Sequence, residues 1–221
     1  MSKKNSKYTI INFTREIFIV VIGIFIAFQL NNWNEKIKNT NEEIKSLELI
    51  KKDLETEKSF FNFIKSDFRK GINYLSKISS GGESNFDSLV YYLEKEFFHP
   101  QLNSSYINLK YGGKLNIISN DNLKNKIISF YEANYGYFDA FAESHKAFVY
   151  KDIRTYNLQN IKVDDNLITR DEIIPKLLKE KHLINLINYQ VYTFKTIEER
   201  LNVELVNILI KEIEDEIKLL N

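Results

Sequence analysis

Residues 17–28 read IFIVVIGIFIAF, a long uninterrupted apolar run set between a basic head (Lys3, Lys4, Lys7) and an asparagine-rich neck containing Trp33. A run of this length alone would suit a buried core helix or the centre of a signal peptide, so the flanks carry the reading. Extending it through Leu30 to Trp33 on one side, and through Phe13, Ile11, Ile10 and Tyr8 on the other, gives a helix over residues 8–33. At about 1.5 Å per residue, that length crosses a bilayer. Tyr8 and Trp33 then serve as interfacial anchors at its two ends. Arg15 can snorkel to the headgroups, whereas the shorter Glu16 must lie at the interface or face something polar. No small-x-small cleavage site follows the run, which ends in Gln29, Leu30, Asn31, Asn32 and Trp33. The segment therefore reads as an uncleaved anchor rather than a cleaved signal.

Orientation follows from the basic residues close to the span. The head carries Lys3, Lys4, Lys7 and Arg15, against Lys36 and Lys38 on the far side. This modest bias puts residues 1–7 in the cytoplasm as a short basic head and exports the body. The absence of cysteine suits either compartment. Hydrophobic residues make up 43% of the 221, aromatics 14%, and Pro100 and Pro175 are the two prolines, which describes a folded body. A net charge of +1 leaves no polybasic face, and nucleic acid is excluded as an expected partner.

Beyond the anchor, residues 34–80 read as one long amphipathic helix with Ile37, Ile44, Leu47, Ile50, Leu54, Phe61, Ile64, Phe68, Ile72, Leu75 and Ile78 on a stripe. Lys51, Lys58 and Lys65 fall at strict heptad positions of that stripe, which favours a wider bundle over a two-stranded coiled coil. Asn39, Thr40 and Asn41 are weak helix formers and would let the neck fray or bend. Ser79, Ser80, Gly81 and Gly82 end the helix.

Residues 83–221 hold the rest of the body. Helices are expected over 86–98, 106–111, about 120–156 and 183–220, with 114–119 as an extended connector. Thr169 and Glu172 have capping-box spacing. Ile127, Tyr131, Tyr135, Phe138, Ala142, His145 and Val149 form one helix face, with Gly136 available for a close approach or kink. Ile187, Val191, Phe194, Leu201, Leu205 and Ile208 point inward from the last helix. The fold class is all-α: a single N-terminal transmembrane helix continuing into a long helix, followed by an antiparallel helical bundle.

Chemical motifs are sparse. His99, His145 and His182 are isolated, with no HExxH and no cysteines to complete a zinc site, and His145 on an aromatic face reads as a hydrogen-bonded core histidine. Gly112, Gly113 and Lys114 lack the distal glycine and the following Ser or Thr of a phosphate loop, and read as a turn. Asp164, Asp165, Asp171 and Glu172 lack EF-hand spacing. No catalytic, cofactor-binding or metal-ligating residue is assigned, and no cofactor is expected. Within the anchor, a projection of about 100° per residue places Glu16, Val20, Gly23, Ala27 and Asn31 on one stripe, continued by Leu30 and Asn34. With small residues four apart at its centre, this is the expected helix-pairing face; the alternative is Glu16 at the headgroups and an ordinary membrane glycine.

Two stretches resemble a known family. REIFIVVIGIFIAFQLNNWNEKIK (residues 15–38) and SSYINLKYGGKLNIISNDNLKNKIISFYE (residues 104–132) are similar to the patterns of a family of uncharacterised small single-pass membrane proteins of Bacteroidota. The resemblance implies the anchor, a Gram-negative inner membrane and a helical fold, and brings no activity. The expected function is a non-enzymatic protein-interaction or scaffold module of the cell envelope, in contact with membrane lipid and assembling as a homo-oligomer or with another envelope protein. The tyrosines Tyr91, Tyr92, Tyr106, Tyr111, Tyr131, Tyr135 and Tyr137 suit such a surface, while core and half-buried helix packing would account for most of them. The alternative is an extracytoplasmic ligand-sensing bundle acting through a separate transducer.

Overall fold

The structure, a computed structural model, describes residues 3–82, 85–160 and 174–221, with side chains from Arg15 onward. The Thr169 and Glu172 pair, the acids Asp164, Asp165 and Asp171, and the side chain of Tyr8 lie outside the described residues.

Helix α1 (Lys3–Ser79) is a single rod of 77 residues. At about 1.5 Å per residue it is about 115 Å long. It passes through Asn39, Thr40 and Asn41 without the expected fraying. Helix growth is cooperative, and three weak formers inside a long rod cost less than restarting it.

The second half of α1 is buried on one stripe: Glu43, Leu47, Ile50, Leu54, Glu57, Phe61, Ile64, Phe68, Gly71, Leu75 and Ile78. Spacings of four and three alternate throughout, a strict heptad repeat. The frame lies one residue ahead of the one drawn through Ile44, Lys51, Lys58, Lys65 and Ile72, which instead flanks the stripe and is half-buried. Lysines fit there because their stems pack while their heads reach solvent. The chain's own helices cover the buried stripe.

Gly81, with φ +87°, ends the rod; its N–H donates to Ile78 O, and that of Gly82 to Lys77 O. Helix α2 (Phe86–Glu94) is capped by Asn85 and stops four residues earlier than the expected Phe98. Residues 95–103 are irregular, followed by α3 (Ser104–Tyr111). The connector expected to be extended is a 3₁₀ turn (Leu115–Ile117). Asn120 then caps α4 (Asp121–Ser129) by accepting from the Leu123 N–H at 3.1 Å.

Helix α4 continues through a π-turn (Phe130–Asn134) into α5 (Tyr135–Phe148), and through a second π-turn (Val149–Ile153) into α6 (Arg154–Asn160). Residues at these junctions keep right-handed helical dihedrals, so 121–160 is one helical run. Gly136 is exposed, and a Cβ there would meet nothing within 4 Å, so it makes no close approach; the irregularities are the π-turns.

The single terminal helix expected over 183–220 is two, α7 (Lys181–Arg200) and α8 (Val203–Leu220). Two side chains hold the break between them. Lys65 donates to the carbonyls of Glu198 (2.9 Å) and Leu201 (3.2 Å), and Asn202 caps α8 by accepting from Leu205 N at 3.0 Å. The restart changes the helical phase, so Val206, Leu209 and Ile213 turn inward while Leu205 and Ile208 are exposed, against expectation. The pairs Lys65 with Glu198 and Lys51 with Glu214 show α7 and α8 running antiparallel to α1. The result is an all-α antiparallel bundle built on the outer half of one long helix.

Gly71 tests this packing. A Cβ there would lie 2.8 Å from Phe194 and 2.9 Å from Tyr92, and Phe194 stacks on Phe68 at 4.3 Å. Gly71→Ala gains about 1 kcal/mol of helix propensity against this crowding, whereas Gly71→Leu has no room and is expected to cost about 2–3 kcal/mol. Chemical unfolding of the solubilised full chain measures both.

Candidate functional site

Acidic side chains along α1 receive the segment that returns past it. Glu43 Oε1 accepts from the Ser119 N–H (2.7 Å) and hydroxyl (2.9 Å). Asp53 Oδ2 accepts from Ser105 N at 2.7 Å, in the first turn of α3. Glu57 binds His99 and Tyr135, and Asp67 pairs with Lys95. The order 119, 105, 99, 95 against 43, 53, 57, 67 means that residues 95–119 run antiparallel to the rod, fixed by carboxyl groups at successive heights.

The Glu57 centre is the most enclosed. His99 Nε2 lies 2.7 Å from Glu57 Oε1, and Tyr135 donates its hydroxyl to Oε2 at 2.9 Å. The side chains of Glu57 and His99 are both 0% exposed. With the Glu57 carboxylate as acceptor, His99 donates through Nε2, and its buried Nδ1 has no hydrogen-bond partner. Phe60, Phe61, Phe97 and Phe138 surround the ring. Burial, then the adjacent Glu57 carboxyl, push the Tyr135 phenol far above its usual pKa. An acid, an imidazole and a phenol stand together, but the surrounding core closes them off from solvent. Their position at a core heptad site makes them a register peg, selecting which residues of the return segment and of α5 face α1.

A second buried polar group holds the end of α2. His145 Nδ1 accepts from Phe97 N at 3.0 Å, which places its proton on Nε2, 3.0 Å from Gln190 Oε1. Gln190 Nε2 in turn donates to the carbonyls of Tyr92, Leu93 and Lys95. Together they satisfy backbone groups that the end of α2 would leave orphaned in the core. His145 is thus the hydrogen-bonded core histidine expected. Burial pushes its pKa down, outweighing Gln190 and Glu96, which favour the charged form. Tyr106, Tyr131 and Tyr135 are core residues, whereas Tyr91, Tyr111 and Tyr137 are exposed.

The anchor contrasts with this interior. Glu16, Val20, Gly23, Ala27 and Asn31 share one face of α1 and are all exposed, as is Trp33. A Cβ at Gly23 would meet nothing within 4 Å. Asn31 Nδ2 donates to Glu35 Oε1 at 3.2 Å. One helix, Arg15–Ser79 among the described residues, is long and apolar enough to cross a membrane, with none of its apolar stretch buried. Projected back from Glu43 and Leu47 at about 100° per residue, these five residues fall on the opposite side of the rod from the body. Lys38, Lys45 and Lys52, exposed and seven apart, continue that outer side.

Just beyond the apolar segment of α1, a cleft of about 760 Å³ opens between the neck and the base of the body. Asn32, Glu35, Lys36 and Asn39 form its inner wall, with Lys114 and Leu220 opposite. Gly113, with φ +67°, makes the turn that presents Lys114, whose Nζ lies 3.7 Å from Glu42. Among the described residues no group of three His, Asp or Glu side chains is arranged to hold a metal ion.

Replacing Glu57 with Leu orphans the Tyr135 hydroxyl and the His99 N–H, and is expected to cost about 2–4 kcal/mol. Glu57→Gln keeps an acceptor and should cost less, as read by the same unfolding assay. At His145, the folded protein holds the ring neutral while the unfolded chain protonates near 6.5, so the unfolded state binds more protons as pH falls. Stability contributed by the neutral ring is complete above that value and is lost below it. His145→Gln removes this proton uptake, so its stability, lower at neutral pH, should fall less than that of the wild type between about pH 7 and about pH 5.

No curated protein and no solved structure matches the chain at a significant level. A family model does, over residues 16–139, more than half of the chain. The match runs from the anchor through the acid-pegged segment 95–119 to the first turns of α5, so the rod and the return segment fastened to it fall within one family pattern. The chain belongs to a family of unknown function (DUF6090).

Proposed function

We propose that this is a single-pass, membrane-anchored helical protein of a bacterial inner membrane, acting as an interaction or scaffold module of the cell envelope. Its N-terminus is cytoplasmic and its body extracytoplasmic, a reading supported by Lys3, Lys4 and Lys7 on the near side of the span against Lys36 and Lys38 on the far side. The observation that carries the functional reading is that α1 is unbroken across the neck, exposed on all sides through the anchor and tightly packed beyond Glu43. Such a rod joins whatever the anchor contacts to the body as one rigid piece.

The outer side of the rod supports a choice between partners. Small residues at Gly23 and Ala27 permit close helix approach, and Glu16 seeks a polar neighbour in the membrane. In a parallel pair of copies, Lys38, Lys45 and Lys52 of each would face those of the other. Like charges facing each other are unfavourable, and repeated contacts of this kind oppose a continuous homodimer seam. The favoured partner is therefore another envelope protein whose helix carries acidic residues just outside the membrane. A ligand-sensing body would need a separate transducer in addition, which the interaction reading does not require.

Purification of tagged full-length protein at native level from crosslinked membranes, with the mass of the complex measured, tests this. A stoichiometric foreign protein is expected, and Gly23→Leu should reduce its recovery several-fold. Recovery of monomer alone, or of a homo-oligomer unaffected by Gly23→Leu, would overturn the proposal.

A further inference from the structure

Packing of the body on one side of α1 fixes where every other face of the rod points. Two residues further along a helix is about 200° around it, so the position two beyond each buried residue lies on the opposite side. For the stripe from Glu43 to Leu75, those positions carry Lys45, Lys52, Lys70 and Lys77, with Leu49 and Phe63 among them, and all are exposed. They repeat the alternating spacing of the buried stripe. Helix α1 thus has a second heptad seam on its outer side, which nothing among the described residues covers.

This outer seam is sorted by charge. The whole chain holds 31 Lys and Arg against 30 Asp and Glu, yet the seam has four lysines and no acid. Glu43, Asp53, Glu57 and Asp67 are turned to the return segment instead. Among the described residues, none of the four lysines is in an ion pair. Leu49 and Phe63 are 47% and 65% exposed, and their fourteen-residue separation puts both on one line of the seam. Thr56 lies midway between them, and Ser59 and Ser66 flank Phe63. Small side chains beside large ones leave holes for the knobs of a facing helix.

Charge decides which helix that is. A second copy laid parallel brings each lysine against its own equivalent. Reversed about Ser59 and Phe63, it sets Lys45 against Lys77 and Lys52 against Lys70. Both arrangements oppose like charges, whereas a helix with carboxylates at these levels is complementary. Glu16, Gly23 and Ala27 lie on the same side of the rod, so a helix paired with the anchor emerges onto the seam.

We infer that the partner's helix leaves the membrane beside α1 and follows the outer seam to Phe63, about 45 Å beyond Trp33, with acidic residues opposite Lys45 and Lys52 and apolar residues against Leu49 and Phe63. The inference rests on the proposed partner and adds the course it takes. Benzoylphenylalanine is placed singly at Val20 in the anchor, at Thr56 on the seam and at Lys211 on the exposed side of α8, in tagged full-length protein at native level, and the membranes are irradiated.

Val20 and Thr56 should both give an adduct with the same foreign protein, and Lys211 none. The peptide joined to Thr56 should be an amphipathic segment with Asp or Glu seven residues apart. Lys45→Glu combined with Lys52→Glu should lower the Thr56 adduct several-fold and the Val20 adduct much less, and Leu49→Ser combined with Phe63→Ser should do the same. A foreign adduct at Val20 alone would confine the contact to the anchor, overturning this inference and leaving the proposed partner intact. No foreign adduct at either position would overturn both. A Thr56 adduct with a second copy, with a protein absent from Val20, or indifferent to the charge reversals would overturn the acidic helix, as would an equal adduct at Lys211.

Discussion

Everything outside the anchor depends on one constraint: from Glu43 to Ile78, α1 must present the same stripe to the rest of the chain. A helix of this length has no fold of its own to close around, so its stability beyond the apolar segment comes from burying that stripe. Helices α7 and α8 run back along it, and the short elements α2 and α3 fill the remaining side. Fully burying each large apolar side chain contributes about 1.5–3 kcal/mol, which makes the stripe the main driving force. It also leaves the problem of register, since leucines and phenylalanines tolerate sliding.

Polar groups resolve that problem. Glu57 replaces an apolar residue at a core position and can be satisfied at one alignment of His99 and Tyr135. A shift of one turn would strand three polar groups in the core at about 1–3 kcal/mol each. Glu43, Asp53 and Asp67 repeat the arrangement at other heights, with backbone N–H groups or a lysine as partners. His145 and Gln190 do for the end of α2 what the carboxyls do for the return segment. Hydrophobic burial supplies most of the stability, and the buried polar groups supply the uniqueness.

Much of this architecture could be read from residue patterns. The apolar run and its flanks located the one helix, among the described residues, long and apolar enough to span a membrane, Gly81 and Gly82 the far end of the rod, and Asn120 the start of α4. Eight of the eleven stripe residues read from the sequence are buried, but the strict heptad through Ile44 and the lysines lay one residue off because Glu43, Glu57 and Gly71 occupy three core positions, and a hydrophobicity pattern registers them as gaps. Their common spacing of fourteen residues was the available signal. The division of α7 from α8 was hidden because Leu201 continues the apolar pattern across the break; Asn202 followed by Glu204 was the local mark of a new helix. His145 was recognisable from its aromatic face, but its partners, 48 and 45 residues away in sequence, were not. The expected helix-pairing face is a local pattern along the apolar segment, and the folded chain adds only that nothing within it covers Gly23.

The continuous neck makes distance and direction inseparable. Each residue added to a helix lifts the chain beyond it by about 1.5 Å and rotates it by about 100°. One extra residue between Trp33 and Glu43 would swing the body about a quarter-turn around the rod. Seven would nearly restore its bearing but raise it by about 10 Å, beyond the thickness of the polar layer. The length of this segment is thus a setting with few interchangeable values, like the pitch of a screw cut to seat at one depth and one angle. Variation among related chains should accumulate in the connections between helices, while the ten-residue interval from Trp33 to Glu43 stays constant.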